Sequence, residues 1–273
     1  MNSAIIYNVC EQLQGDKNEV VLTGWGEPLL HPDFFGIIDT IRKFNSIWPI
    51  CFTTNGVLLN STRAERLGTT ANLQVTVSLD NLDNNCDDRY AGHVRGTDVS
   101  KNVETLVEVF RRNSGHGQQV VVQCVIQQGF EADLNRIISW CGEAGVGRVN
   151  LVRFEVRHTP KGERLSLPEE KDFVRHMKVL GKEKGVSVSC ANQMGMMTRV
   201  ATRNDRLCPY FVEAIYVNVN GDVSPCCQLR DISFGNINHY PLDYIWKEGF
   251  KVWRKNPLQW CSDCDAMSHL MRQ

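Results

Sequence analysis

Apolar positions along the chain repeat with two different periods. Ile5, Ile6, Val9 and Leu13 recur at helical spacing over residues 3–14, and Gly15-Asp16 ends that run. Val20-Val21-Leu22 is a short run rich in β-branched residues and reads as a buried strand. Further strands are predicted over 50–53, 73–79, 119–126 and 148–154. Between them lie helical patterns: from about residue 32, with Phe34, Ile37, Ile38 and Ile41 on one face, then 61–67, 99–113, 132–144 and 168–184. Strands alternating with helices make βα units, hence a parallel sheet of α/β class. Five such units are visible, preceded by a helix. In such sheets chemistry gathers at the carboxyl ends of the strands. Here those ends are polar or glycine-rich: Gly24-Trp25-Gly26-Glu27-Pro28, Thr54-Asn55-Gly56, Ser78 with Asp80, and Arg153 with Glu155.

The pattern changes after Val188, which sets the expected division: 1–187 an α/β domain, 188–273 a second, smaller one. Residues 190–207 have no clear period. Asn220-Gly221 between alternating apolar residues signals a hairpin. Residues 241–253 read as a helix with Leu242, Ile245, Trp246 and Phe250 on one face. Cys208, Cys226, Cys261 and Cys264 follow the spacing C-x17-C…C-x2-C, with Cys227 beside the second. A C-x2-C pair can put two thiolates on one metal, and a second pair can close the ligand set. Iron–sulfur and zinc sites share such spacing, so both remain open; small buried hydrophobes are the bland alternative.

Composition narrows the picture. Lys+Arg 30 against Asp+Glu 31 gives a net charge of -1, which favours neither nucleic acid nor an anionic membrane as partner. No apolar run is long enough to span a bilayer, and residues 1–8 lack a secretory signal pattern. A cytoplasmic protein is expected. Its eleven cysteines would then be reduced, and metal or redox chemistry is favoured over disulfides.

Gly24-Trp25-Gly26-Glu27-Pro28-Leu29, Thr54-Asn55-Gly56 and Ser78-Leu79-Asp80, in this order at strand ends, resemble the radical S-adenosylmethionine (SAM) enzymes. Gly221-x4-Cys226-Cys227, Gly235-Asn236-Ile237, Trp246 and Cys261-x2-Cys264 resemble the SPASM/twitch extension of that superfamily. One departure stands out. The family's first strand ends in a C-x3-C-x2-C loop that holds the catalytic 4Fe-4S cluster, and no such triplet occurs here; Cys10 stands alone. The expectation is a partial (β/α)6 barrel lacking its first strand, read from an N-terminally truncated chain. The competing expectation is a degenerate, non-catalytic cluster-bearing module. A zinc-stapled α/β protein is the third.

The resemblance implies the site residues. The backbone of Gly24, Gly26, Glu27 and Pro28 would meet the methionine end of SAM, with the Glu27 carboxylate near its ammonium. Asn55 would lie beside it, and Ser78 and Asp80 would hydrogen-bond the SAM carboxylate or ribose. Each has a structural alternative: a βα turn for residues 24–28, a strand-ending turn for 54–56, a cap for Ser78 and Asp80. Arg153 and Glu155 would reach cofactor or substrate, or form a surface salt bridge. Cys208, Cys226, Cys261 and Cys264 would ligate one auxiliary 4Fe-4S cluster, with Cys227 as the fallback for Cys226. The implied reaction is hydrogen abstraction by a 5′-deoxyadenosyl radical from a peptide, protein or small molecule. The electron would come from a donor such as flavodoxin or ferredoxin. Without the triplet, this chain alone is expected not to cleave SAM. His31, His93 and His158 read as solvated loop histidines, and Cys51, Cys124 and Cys141 as core. Met194, Met196 and Met197 read as packing.

Overall fold

The β-branched runs pair in chain order. The computed structural model describes residues 1–13, 18–46, 48–82, 98–114, 119–153, 164–190, 214–227, 229 and 231–255. Strands β1 (Val20–Leu22), β2 (Ile50–Thr54), β3 (Leu73–Ser78), β4 (Val120–Ile126), β5 (Arg148–Arg153) and β6 (Ser187–Cys190) form one parallel sheet in the order β1-β2-β3-β4-β5-β6. Helices α1 (Ser3–Gln12), α2 (Phe34–Phe44), α3 (Ser61–Gly68), α4 (Val99–Ser114), α5 (Glu131–Ala144) and α6 (Leu167–Glu183) precede and connect them. Consecutive strands are always neighbours. Right-handed crossovers then put every connecting helix on the same face, and the sheet winds as an open barrel instead of reversing as a doubly wound sheet does.

The two faces of the sheet differ sharply. Ile50, Phe52, Val75, Val77, Val120, Val122, Cys124, Val149 and Leu151 alternate onto one face and are fully buried. The other face carries Cys51, Thr53, Gln74, Ser78, Gln123 and Asn150, all half-buried, together with Thr76 and Val121, which are buried. Most all-parallel sheets are apolar on both faces, so a polar inner face is unusual.

The sixth strand, β6, was not expected. Its sequence Ser-Val-Ser-Cys carries one strong β-former, and its pairing with β5 (Val149↔Val188, Leu151↔Cys190) supplies what local propensity does not. Leu167–Glu183 starts with a full capping box, Ser166 with Glu169, and proline in its first turn.

The chain divides into two compact units, Glu19–Phe34 with Ile47–Ala191, and Met1–Asn18, Phe35–Ser46 with Asn192–Gln273. In the second, β7 (Tyr216–Val217) and β8 (Val223–Ser224) form the hairpin. The helical segment runs from Leu242–Tyr244 through a π-helical stretch, Ile245–Gly249, into Lys251–Lys255. Ile5 of α1 joins the apolar core of Val223, Leu229, Ile237, Leu242, Ile245, Phe250 and Trp253. Two polar fasteners fix α1 there: Asn8 Nδ2 donates to the Ile237 carbonyl (3.1 Å), and Gln12 Oε1 accepts from the Leu242 amide (2.6 Å). Among the described residues no helix is long and apolar enough to cross a membrane.

Candidate cofactor-binding site at the strand ends

The loop after β1 is tied to the loop after β2 by side chains, not by the sheet ladder. Thr23 Oγ1 accepts from the Thr53 amide at 3.1 Å. Glu27 does more. Its Oε1 accepts from Thr54 Oγ1 (2.7 Å) and the Leu29 amide (3.1 Å), and its Oε2 from the Asn55 amide (2.8 Å). The carboxylate expected to face an ammonium is thus first a brace between two strand-end loops. Oε2 retains a lone pair for a further donor. Pro28 starts the short 3-10 turn Pro28–Leu30, whose Leu29 amide the Glu27 side chain caps.

Gly24 and Gly26 leave this loop's backbone accessible. Gly26 has φ +134°, and a Cβ there would meet nothing within 4 Å, so its main chain faces open space. Gly56 is held differently: at φ +76° a Cβ would come 2.6 Å from Val99 Cγ1, and its carbonyl accepts from Asn102 Nδ2 (2.9 Å). Its amide donates to Thr54 Oγ1 (3.1 Å), while Asn55 Oδ1 accepts from the Val57 amide (3.0 Å). Every residue of Thr54-Asn55-Gly56 therefore has a local structural task.

At the next strand end Asp80 Oδ1 accepts from the Val125 amide at 2.7 Å, which fastens the end of β3 to β4. Ser78 is half-buried on the inner face. Arg153 ends β5 in a buried ion pair rather than a surface one: its Nε lies 2.7 Å from Glu170 Oε2, with the two side chains 3% and 11% exposed. Glu155, His93 and His158 lie outside the described residues. His31 Nδ1 accepts from the Asp33 amide (3.1 Å) and so shapes the turn before α2.

Burial pushes the Cys124 thiol well above its ordinary value, with Asp80 adding to the effect, and burial alone pushes up Cys141. Cys51 departs from the expected core role. It is half-buried on the inner face, where its Sγ donates to Glu19 Oε1 (3.0 Å), and burial first, then Glu19, push its thiol up to about 12.

In the second unit the Asn-Gly hairpin is locked by a knot of side chains. Asp222 Oδ2 accepts from Asn218 Nδ2 (3.0 Å), and Asp222 Oδ1 from Asn236 Nδ2 (2.9 Å). A Cβ on Gly221 (φ +87°) would fall 2.7 Å from Asn238 Nδ2, and one on Gly235 2.8 Å from Ile245 Cγ1. These contacts explain both glycines of the motif. The knot leads straight into Cys226, whose carbonyl accepts from Ser224 Oγ and the Leu229 amide, both at 3.1 Å. Cys226 is half-buried against the apolar core; Cys227 is exposed. Burial, and then Cys227, push up the Tyr216 hydroxyl. Cys208, Cys261 and Cys264 lie outside the described residues, as do Met194, Met196 and Met197. Among the described residues no group of three or more His, Cys, Asp or Glu side chains is gathered as a metal site.

Two family models match this chain. The radical SAM superfamily model covers residues 5–141, about half of the chain, and an iron-sulfur cluster-binding domain, SPASM, covers residues 208–265. The chain belongs to the radical SAM superfamily. Its likeness to solved structures runs through the whole fold. The Streptococcus suis protein SuiB matches with TM-score 0.74 at 15% identity, over 100% of this chain and 68% of SuiB. A structure of anSMEcpe with bound AdoMet matches with TM-score 0.67 at 16% identity, over 97% and 78%. Among curated proteins, the GTP 3',8-cyclase of Pasteurella multocida is 33% identical over 125 residues, 45% of this chain and 34% of that protein. The Aquifex aeolicus GTP 3',8-cyclase is 36% identical over 115 residues, 42% and 33%. The chain thus matches about a third of the length of these curated relatives.

Membership brings the superfamily's cofactors, SAM and 4Fe-4S clusters. The strand-end geometry fits SAM: an open glycine backbone at Gly26, a carboxylate lone pair on Glu27, and polar Ser78 and Asp80 at the end of β3. Four thiolates are the soft donor set that an iron–sulfur cluster takes.

Proposed function

We propose that this chain is the SAM-binding and auxiliary-cluster part of a radical SAM/SPASM oxidoreductase or maturase that abstracts hydrogen from a peptide or protein. The observation that carries the reading is the side-chain lacing of strand-end loops. Glu27 joins β1 to β2 and Asp80 joins β3 to β4, which holds Gly26, Asn55 and Ser78 on one rim. SAM, when reductively cleaved, supplies a 5′-deoxyadenosyl radical; this chain's residues bind it, orient it and keep water away. Backbone at Gly24, Gly26 and Pro28, with Glu27 and Asn55, would receive the methionine end. Ser78 would donate to the carboxylate or the ribose, and Asp80 would accept from a ribose hydroxyl. Cys208, Cys226, Cys261 and Cys264 would hold one auxiliary 4Fe-4S cluster, closed by four protein ligands and suited to electron relay or to bracing the substrate pocket. A donor such as flavodoxin or ferredoxin would supply the electron. The peptide reading draws support from the fold shared with SuiB, a structure of which is bound to the precursor peptide SuiA. A second reading, a nucleotide substrate, draws on the GTP 3',8-cyclase similarity.

The 273 residues contain no C-x3-C-x2-C triplet, so the test for this chain is binding rather than turnover. Calorimetric titration with SAM should show saturable binding. Ser78→Ala and Asp80→Asn should each weaken it about five- to tenfold, the worth of one hydrogen bond to a polar or charged group. Asparagine at 80 can still accept from the Val125 amide, so the fold is retained. No binding, or equal binding by both variants, would contradict the assignment.

A further inference from the structure

The inner face of the sheet holds a row of polar side chains of which the cofactor site uses only Ser78. Ser78, Gln123, Asn150 and Ser189 are successive register partners across β3, β4, β5 and β6, so all four lie on one face at one level. Ser189 Oγ donates to Asn150 Oδ1 at 3.2 Å, and Asn150 Nδ2 donates to Gln123 Oε1 at 3.2 Å. The chain of bonds runs one way, with Gln123 as its last acceptor. The Gln123 carboxamide therefore keeps both Nε2 protons, and Asn150 one Nδ2 proton and one Oδ1 lone pair, for another molecule. Asparagine is depleted in strands, and a polar level through the centre of a parallel sheet costs stability unless it is used. Below this level Thr76 and Val121 are buried at 8% and 4% exposure and close the floor. The row itself stays half-buried or exposed.

Charge selects the occupant. The next level toward the strand ends carries the Asp80 carboxylate. The next level down carries Arg148, which is engaged with Gln74 Oε1 at 2.8 Å. The row itself is uncharged, and a triphosphate set between it and Asp80 would be repelled without a cluster of cations to offset its charge. Neighbouring carboxamides instead offer paired N–H and C=O groups, the complement of a main-chain amide.

We propose that Gln123 and Asn150, oriented by Ser189, are specificity-determining residues that hydrogen-bond a peptide main-chain amide of the substrate, alongside the cofactor contact Ser78. The proposal rests on the peptide reading above and deepens it.

Side-chain amide NMR of the ¹⁵N-labelled full chain tests it, with the Gln123 and Asn150 signals assigned from Gln123→Leu and Asn150→Leu. Acetylated, amidated trialanine should shift both signals saturably, and GTP should leave them in place. The double variant should lose about tenfold or more in trialanine affinity, as expected for one to two hydrogen bonds, with SAM affinity and melting temperature unchanged. A merely structural row would lower all three together. Signals unmoved by the peptide, or moved by GTP, would overturn the proposal. A SAM titration on the same sample separates the two failures. SAM bound with unmoved amides sinks the row alone. Moved amides without SAM binding sink the cofactor reading and leave the row.

Discussion

At the residue scale, Glu27 shows how a family motif and a folding device can be the same side chain. Three hydrogen bonds converge on its carboxylate from Thr54, Leu29 and Asn55. Bonds to a charged acceptor contribute about 1.5–3 kcal/mol each when they are partly buried, though they are not additive. Glu27→Gln keeps the shape but turns one acceptor into a donor facing a donor. It should lower stability by about 1–3 kcal/mol, read by urea unfolding. Faster amide hydrogen exchange at Leu29 or Asn55 should accompany the loss. A variant as stable as the parent, with both amides still protected, would show that the loops hold without it. The sequence pointed to Glu27 but not to this task, because Thr54 and Asn55 are distant in the chain and meet it only once β1 and β2 are paired. Gln123 and Asn150 were visible as polar positions inside strand patterns. Only the register shows that they share a level.

At the element scale, the strand and helix periods located most of the sheet and its connecting helices, with ends within a few residues. What the periods missed was β6, a four-residue edge strand whose ordering comes from β5, and the partner of α1. The amphipathic pattern of Ile5, Ile6, Val9 and Leu13 marks a buried face without naming what covers it, and Ile5 packs in the unit that holds the hairpin. The start of α4 offers a test of local energetics. Asp98 Oδ1 accepts from Ser100 Oγ (2.6 Å) and the Lys101 amide (3.2 Å), and Asp98 pairs with Lys101 Nζ at 2.9 Å. The bond from Ser100, above all, lowers the Asp98 carboxyl to about 2. A folded-state value below the unfolded one stabilises the protein above the unfolded value. That stabilisation fades as pH falls through the folded value. The difference in unfolding free energy between parent and Asp98→Ala should be about 1 kcal/mol at neutral pH. It should shrink between about pH 4 and pH 2. A difference independent of pH would assign the effect to helix propensity instead of the cap.

At the scale of the whole molecule, the chain joins a singly wound parallel sheet, polar on its inner face, to a small unit whose hairpin knot presents Cys226 and Cys227. The sheet domain was legible because strand-end glycines and polar residues recur in order along the chain. The cysteine unit was legible as a spacing, and its glycines are now explained by contacts with Asn238 and Ile245. The central claim for this unit is one auxiliary 4Fe-4S cluster on Cys208, Cys226, Cys261 and Cys264. The most direct measurement is iron and sulfide content, with the visible spectrum, after anaerobic reconstitution of the parent chain and of Cys261→Ala/Cys264→Ala. About four irons per parent chain, lost in the variant, is the expected result. Stoichiometric zinc without iron, or iron retained in full by the variant, would contradict it.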